Sequence, residues 1–453
     1  MLRSATLVAL VGACAVLAAK CSDKQQCPET APCCSQYGEC GTGAFCLGGC
    51  EPRMSFSLDS CVPAPVCKST TSKFTSLDSV VDIGKYLGDS TRADWVSQGE
   101  VAIHRDNLLL TMPRKSAGTV LASTSYMWYG TVKARLKSSR GRGVVTAFIL
   151  LSDVKDEVDF EFVGADLDVA QTNYYFQGEL DYRNAGNISA SDTFGSFHEY
   201  EIRWTPEHIE WYVDGNLGRR KLRKDTWNEE QQRWDFPQTP ARVQLSIWPG
   251  GQASNEKGTI DWAGGEIDWN APDVQKAGYY YATVSEVSIE CYDAKTGPGT
   301  NSGKSYTYSN ARGTNDTVVD GDKDTVLGSL EATGLDMDKG NREQESSTEG
   351  AAKPKKTQQN TIPGGSSGWQ GHDGGHENKG GRGAGSSGSG GGGGGGRGDT
   401  GSSQGGGSSG CDTKTFRQSC DGDGKNGDGK SGSGKVGASA LAMMIAGGAL
   451  VWL

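Results

Sequence analysis

Histidine is scarce in this chain, five in 453 residues, and a net positive charge is missing altogether: 45 lysines and arginines stand against 55 aspartates and glutamates, a balance of −10. So acidic a chain is not built to hold nucleic acid, because a phosphate backbone is bound by clustered cations. Two of the histidines, His372 and His376, have metal-like spacing, but they lie in a glycine tract that cannot preorganise ligands. No metal and no cofactor is expected. Helical periods do not alternate with the strand-like runs between residues 69 and 293, which excludes an alternating β/α architecture. Long apolar runs occur only at the two ends. Ala5–Ala19, behind Arg3 and ahead of Lys20, is too short to cross a bilayer and reads as a secretory signal over residues 1–19.

Cysteine, by contrast, is plentiful. Setting aside Cys14 in the signal leaves twelve, an even number in a secreted chain, which points to disulfides. Nine of them crowd into Cys21–Cys67. Residues 20–50 carry too few large apolar side chains for a core and must be stapled, and residues 51–68 read as a linker.

From 69 to 293 the composition turns globular. Strand-like runs recur at Asn107–Met112, Tyr129–Leu136, Val144–Leu151, Val158–Val163, Gln171–Gln177, Phe197–Trp204, His208–Val213, Arg242–Trp248 and Thr283–Tyr292. Asp214-Gly215 after Trp211-Tyr212-Val213 signals a tight hairpin. Strands in series predict an all-β, antiparallel two-sheet sandwich, with one short helix at Asp225–Arg233.

The most informative stretch is Asp156-Glu157-Val158-Asp159-Phe160-Glu161-Phe162. At strand period Glu157, Asp159 and Glu161 share one face, and Val158, Phe160 and Phe162 the other. The apolar face belongs in a core, so three carboxylates stand together on the opposite side and raise the pKa of at least one member. Glycoside chemistry uses such a set: one carboxylate attacks the sugar and another carries its proton. A solvated acidic edge and a calcium site share the same pattern. On an ideal strand the two glutamate Cα atoms lie about 13 Å apart. A retaining pair needs carboxyl groups roughly 5–5.5 Å apart, so the side chains must lean toward each other over Asp159.

DEVDFEFVG resembles the active-site strand of glycoside hydrolase family 16, and its trailing Val163-Gly164 is similar to the fungal Crh (Utr2-like) branch, the cell-wall chitin–glucan transglycosylases. YGTVKARLK, FHEYEIRWTPEHIEWYVDG and SIWPGG resemble recurrent segments of the same family. The resemblance implies a concanavalin A-like jelly roll with an open cleft, with Glu157 as nucleophile, Glu161 as acid/base and Asp159 tuning both. It implies no cofactor, and chitin and β-glucan as partners of a monomer. A plain family 16 β-glucan hydrolase, or a catalytically weak chitin-binding wall protein, is the alternative. By alternation Arg242, Gln244, Ser246 and Trp248 share a solvent face, and Gln171, Asn173 and Tyr175 share another. The resemblance sets Trp248 under the sugar and adds Thr259 and Trp262 on the acceptor side.

The block CCSQYGECG resembles a hevein-like (CBM18-type) chitin-binding module. That implies sugar contacts from Ser35, Tyr37 and Phe45, with Glu39 replacing an aromatic platform, and the pairs Cys21–Cys34, Cys27–Cys40 and Cys33–Cys46. Cys50, Cys61, Cys67 and Cys291 stay unassigned, a short Cys61–Cys67 loop being one option. Asn187 and Asn315 lie in glycan-acceptor triplets. Residues 294–426, rich in serine and glycine, are expected to be a disordered tether, in which Cys411 and Cys420 could close a small loop. Residues 427–453, a polar spacer and then an apolar run, read as a lipid-attachment (GPI) propeptide with Asn426 as the anchor site. The protein is thus expected at the cell surface or in the cell wall, held to membrane by lipid alone.

Overall fold

The acidic stretch forms a strand, Glu157–Val163, whose alternation positions the rest of the domain. Its Val158, Phe160 and Phe162 sink into the main apolar core. There Phe160 packs 6.1 Å from Phe148, and Phe162 meets Tyr200 edge-on at 4.6 Å. Each such buried ring contributes about 1.5–3 kcal/mol relative to exposure. The protein is described here by a computed structural model that covers residues 19–341. The expected signal, the anchor site Asn426, the C-terminal propeptide and the Cys411–Cys420 loop lie outside the described residues.

The strand sits in an eight-stranded sheet ordered Gly186–Ser189, Val169–Tyr175, Glu157–Val163, Val145–Ser152, Ala241–Trp248, Thr119–Ser123, Trp95–Gln98 and Val80–Asp82. All neighbours run antiparallel except the last pair. A second eight-stranded sheet, centred on Gly130–Lys137 and Tyr279–Cys291, closes over the apolar side. Together they form the expected jelly-roll sandwich. Asp214 and Gly215 take φ of 51° and 76°, the left-handed pair that a two-residue hairpin requires, and they join His208–Val213 to Asn216–Leu222. A side chain at position 215 would meet no neighbour, so glycine is there for its backbone freedom.

Three expectations need correction. Asp225–Arg233 is not a helix. A single turn at Arg223–Thr226 leads into a small hairpin of Trp227–Asn228 and Arg233–Trp234. There the two tryptophans meet edge to face at 4.7 Å, and Asn228 donates to Asp235 at 2.8 Å. Cross-strand aromatic pairing of this kind outweighs weak helix propensity.

Nor does the fold stop at 293, where the disordered tether was expected to begin. Ser305–Tyr308 pairs with both Ala64–Pro65 and Val318–Gly321, and the chain remains ordered to Asn341. Tyr306, only 2% exposed, packs against Trp128 in the main core. Leu327 and Ala332 are buried with the N-terminal module. A few well-placed apolar side chains hold this segment although its composition is polar.

The third correction concerns cysteine. Beside Cys21–Cys34, Cys27–Cys40 and Cys33–Cys46 the structure forms Cys50–Cys61 and Cys67–Cys291, so no Cys61–Cys67 loop exists. Cys50–Cys61 and a turn at Leu58–Ser60 give the expected 51–68 linker structure of its own.

Candidate active site

Strand register brings the candidate residues into rows. Glu157 lies between Tyr175 on one neighbour and Leu151 on the other, with Arg242 one strand further. Asp159 lies between Asn173 and Ile149, then Gln244; Glu161 lies between Gln171 and Ala147, then Ser246. No bulge interrupts the acidic strand. The expected catalytic residues therefore form one file, with Gln171, Asn173 and Tyr175 on the next strand, and Arg242, Gln244 and Ser246 beyond an apolar row of Ala147, Ile149 and Leu151, at about 4.8 Å per strand.

Glu157, Asp159 and Glu161 are all buried. Burial first, then the charges of Asp159 and Glu161, push the Glu157 carboxyl well above the ordinary glutamate range. Three carboxylates in one file repel one another when all are ionised, which favours keeping a proton within the set. Glu157 Oε1 has no hydrogen-bond partner among the described residues, and neither do Ser246 Oγ, Trp248 Nε1 and Arg242 Nε. Buried polar atoms left this way suit the hydroxyls of a sugar. From the second sheet, Trp211 Nε1 donates at 3.0 Å to the backbone carbonyl of Asp159 and fixes the strand from below.

Trp248, expected on a solvent face, is 5% exposed. It stacks on Trp262 at 6.0 Å, and the nearby Ala263 completes its apolar surround. Arg242, Gln244 and Ser246 are buried as well, so the row lies at the floor of the site and not on an outer solvent face. Trp262 donates through Nε1 to Gln171 Oε1 at 2.8 Å and so links the Lys257–Trp262 helix to the Glu161 row. Asn173 donates to the Tyr175 hydroxyl at 2.8 Å. Thr259 lies on the same short helix, where its backbone carbonyl accepts from Ala263, and no bond joins it to the carboxylate rows among the described residues. Asn187 is exposed on the edge strand, level with Gln171; Asn315 is half-buried in a turn, where its backbone N–H donates to Gln238.

Sequence reasoning missed two buried carboxylates behind the site. Asp156 accepts from the backbone N–H groups of Gln177, Gln238 and Thr239 and from the Thr239 hydroxyl, which ties two chain segments to the start of the acidic strand. Asp153 accepts from Gly49 N–H and the Tyr126 hydroxyl. Burial raises both to about 6. Because the folded state holds these protons more tightly than the unfolded chain, the stability they contribute is complete below about pH 4 and is lost as pH rises through 6. The urea midpoint is therefore expected to fall from pH 4.5 to 7.5, and Asp153→Asn to flatten that fall; a midpoint that rises across the window would contradict it. Spacing carried a signal only for Asp156, which adjoins the acidic alternation.

With the geometry in place, comparison with known proteins is direct. Residues 89–264 match the model for glycosyl hydrolases family 16. The chain is 60% identical over 340 residues to Crh-like protein 3 of Botryotinia fuckeliana, covering 75% of this chain and 77% of that one. It is 48% identical over 326 residues to Crh-like protein UTR2 of Candida albicans, covering 70% and 69%. A solved structure of a Crh5 transglycosylase in complex with NAG aligns at 29% identity over 60% of this chain and 99% of that one, with a TM-score of 0.49. The 60% identity over three quarters of both chains, together with a family match whose range includes the carboxylate strand, places the chain among the Crh-like proteins of glycosyl hydrolase family 16.

Proposed function

We propose that the protein is a retaining transglycosylase that cuts chitin and passes the released end to a β-glucan or chitin hydroxyl. The observation that carries this reading is the single uninterrupted file of Glu157, Asp159 and Glu161, with a polar row on one adjoining strand and stacked tryptophans at one end.

In the first step a Glu157 oxygen bonds to the anomeric carbon. The glycosidic C–O bond breaks, and Glu161 gives its proton to the leaving oxygen. In the second, Glu161 takes the proton of an incoming hydroxyl, whose oxygen bonds to the same carbon as the ester to Glu157 breaks. Asp159 sits between them, and its charge helps decide where the shared proton rests. The incoming hydroxyl is water in hydrolysis and a sugar in transfer, and an acceptor held by the Trp248–Trp262 wall competes with water.

The relatives' family and the secretory and lipid-attachment signals read from the sequence support action at a fungal-type cell surface. Incubation of the secreted chain with chitin oligomers and a fluorescent β-glucan oligosaccharide tests the reading. Labelled products longer than the acceptor are expected; shortened chitin with an unchanged label would reduce the protein to a hydrolase.

A further inference from the structure

The side of the N-terminal module that would grip N-acetylglucosamine is turned onto the catalytic sheet. Ser35, Tyr37 and Phe45 are 2%, 4% and 2% exposed. Tyr37 donates through its hydroxyl to Gln98 Oε1 at 3.0 Å, on the Trp95–Gln98 strand of the catalytic sheet. Phe45 lies in one apolar cluster with Leu47 of the module and Val96 of the same strand, with Ile83 packed beside them. A ring held in this way has no free face to offer a sugar.

The neighbouring residues reach into the cleft rows. Gln36 Oε1 accepts from Arg242 Nη2 at 3.2 Å and from Gln244 Nε2 at 3.3 Å. Gly48 passes so close to Arg242 that a Cβ there would lie 2.4 Å from its guanidinium. The Gly49 N–H donates to Asp153 at 2.9 Å and to the Tyr126 hydroxyl at 3.0 Å, both in the sandwich. The segment after 321 binds both bodies: Leu327 N–H donates to Leu87 O of the sandwich, and Gly43 N–H of the module donates to Ala332 O. Arg242 stands level with Glu157, two strands away, a separation of about 10 Å. Its Nε–H is buried and has no partner among the described residues.

We propose that the module is an end wall of the catalytic cleft and not a separate chitin grip. Its ligand-facing side is the docking surface, and Gln36, Arg242 and Gln244 together limit how far a sugar chain extends past Glu157 on that side. The role as docking surface stands on the contacts alone; the role in substrate length rests on the glycoside reading of the carboxylate file.

Amide exchange on the intact secreted chain tests the first. The Gly49 N–H is bonded only to sandwich atoms, so it is expected to exchange as slowly as the amides of the Ala241–Trp248 strand. Exchange at the rate of an open loop would overturn docking. A second measurement uses the Glu157→Gln chain, which is expected to hold substrate without turning it over. Adding Tyr37→Ala should leave its retention on insoluble chitin within twofold, whereas a tenfold loss would restore the grip. For substrate length, Gln36→Ala is expected to shift the preferred cut along a long chitin oligomer, and an unaltered product pattern overturns the wall. If Glu157→Gln left turnover intact, the glycoside reading would fail while the exchange and retention results still decided the docking.

Discussion

Glu157→Gln is expected to cut turnover roughly 10³-fold or more, the scale seen when one member of a covalent catalytic set is removed. That is about 4 kcal/mol of transition-state stabilisation. The same substitution should make the protein more stable at neutral pH. Burial and two carboxylate neighbours hold the Glu157 carboxyl well above its ordinary range, so its charged form destabilises the fold once pH exceeds that of a free glutamate. A neutral amide removes that repulsion, and a gain of about 1–2 kcal/mol is the usual size for such a change. Initial rates on chitin oligomers and thermal unfolding at pH 7.5, measured on the same two proteins, check both halves. Loss of activity together with loss of stability would mean that Glu157 holds structure, and the catalytic assignment would fall.

The second large effect concerns Cys67–Cys291, whose partners are 224 residues apart in sequence. It joins the entry of the sandwich to the end of Tyr279–Cys291, a strand in the middle of the second sheet. In the chain-entropy account a loop that long stabilises by about 5 kcal/mol, because the crosslink restricts the unfolded chain. Cys67→Ser with Cys291→Ser should therefore lower the unfolding free energy by roughly that amount. Loss of the 13-residue Cys21–Cys34 loop should cost about 3 kcal/mol. Denaturant unfolding under oxidising conditions reads both. A long-loop variant no weaker than the short-loop one would contradict the account.

Much of the site was legible in the sequence, because side-chain period two is a strong signal where one face is as apolar as Val158, Phe160 and Phe162. The same rule selected Gln171, Asn173 and Tyr175, which the register sets beside Glu161, Asp159 and Glu157. Enclosure was not legible. Trp248 alternates like a solvent-facing residue, and only the fold brings Trp262, on a helix beyond a turn, against its ring. Docking of the module depends on pairs such as Gln36 with Arg242, 206 residues apart, for which neither local pattern nor composition carries information. The segment from 294 to 341 was hidden for a related reason: its order rests on isolated anchors such as Tyr306, in a background of polar residues that reads as tether.

One bond ties the opposite sheet to the acidic strand. Trp211 belongs to His208–Val213, outside the sheet that carries the carboxylates, yet its indole N–H holds the carbonyl of Asp159. The backbone of the middle acid is thus held from the rear, by a side chain sealed wholly inside the sandwich. On the proposed mechanism, a change at Trp211 would act on the acidic file from the core side, leaving evolution, or an engineer, a dial on the back of the instrument.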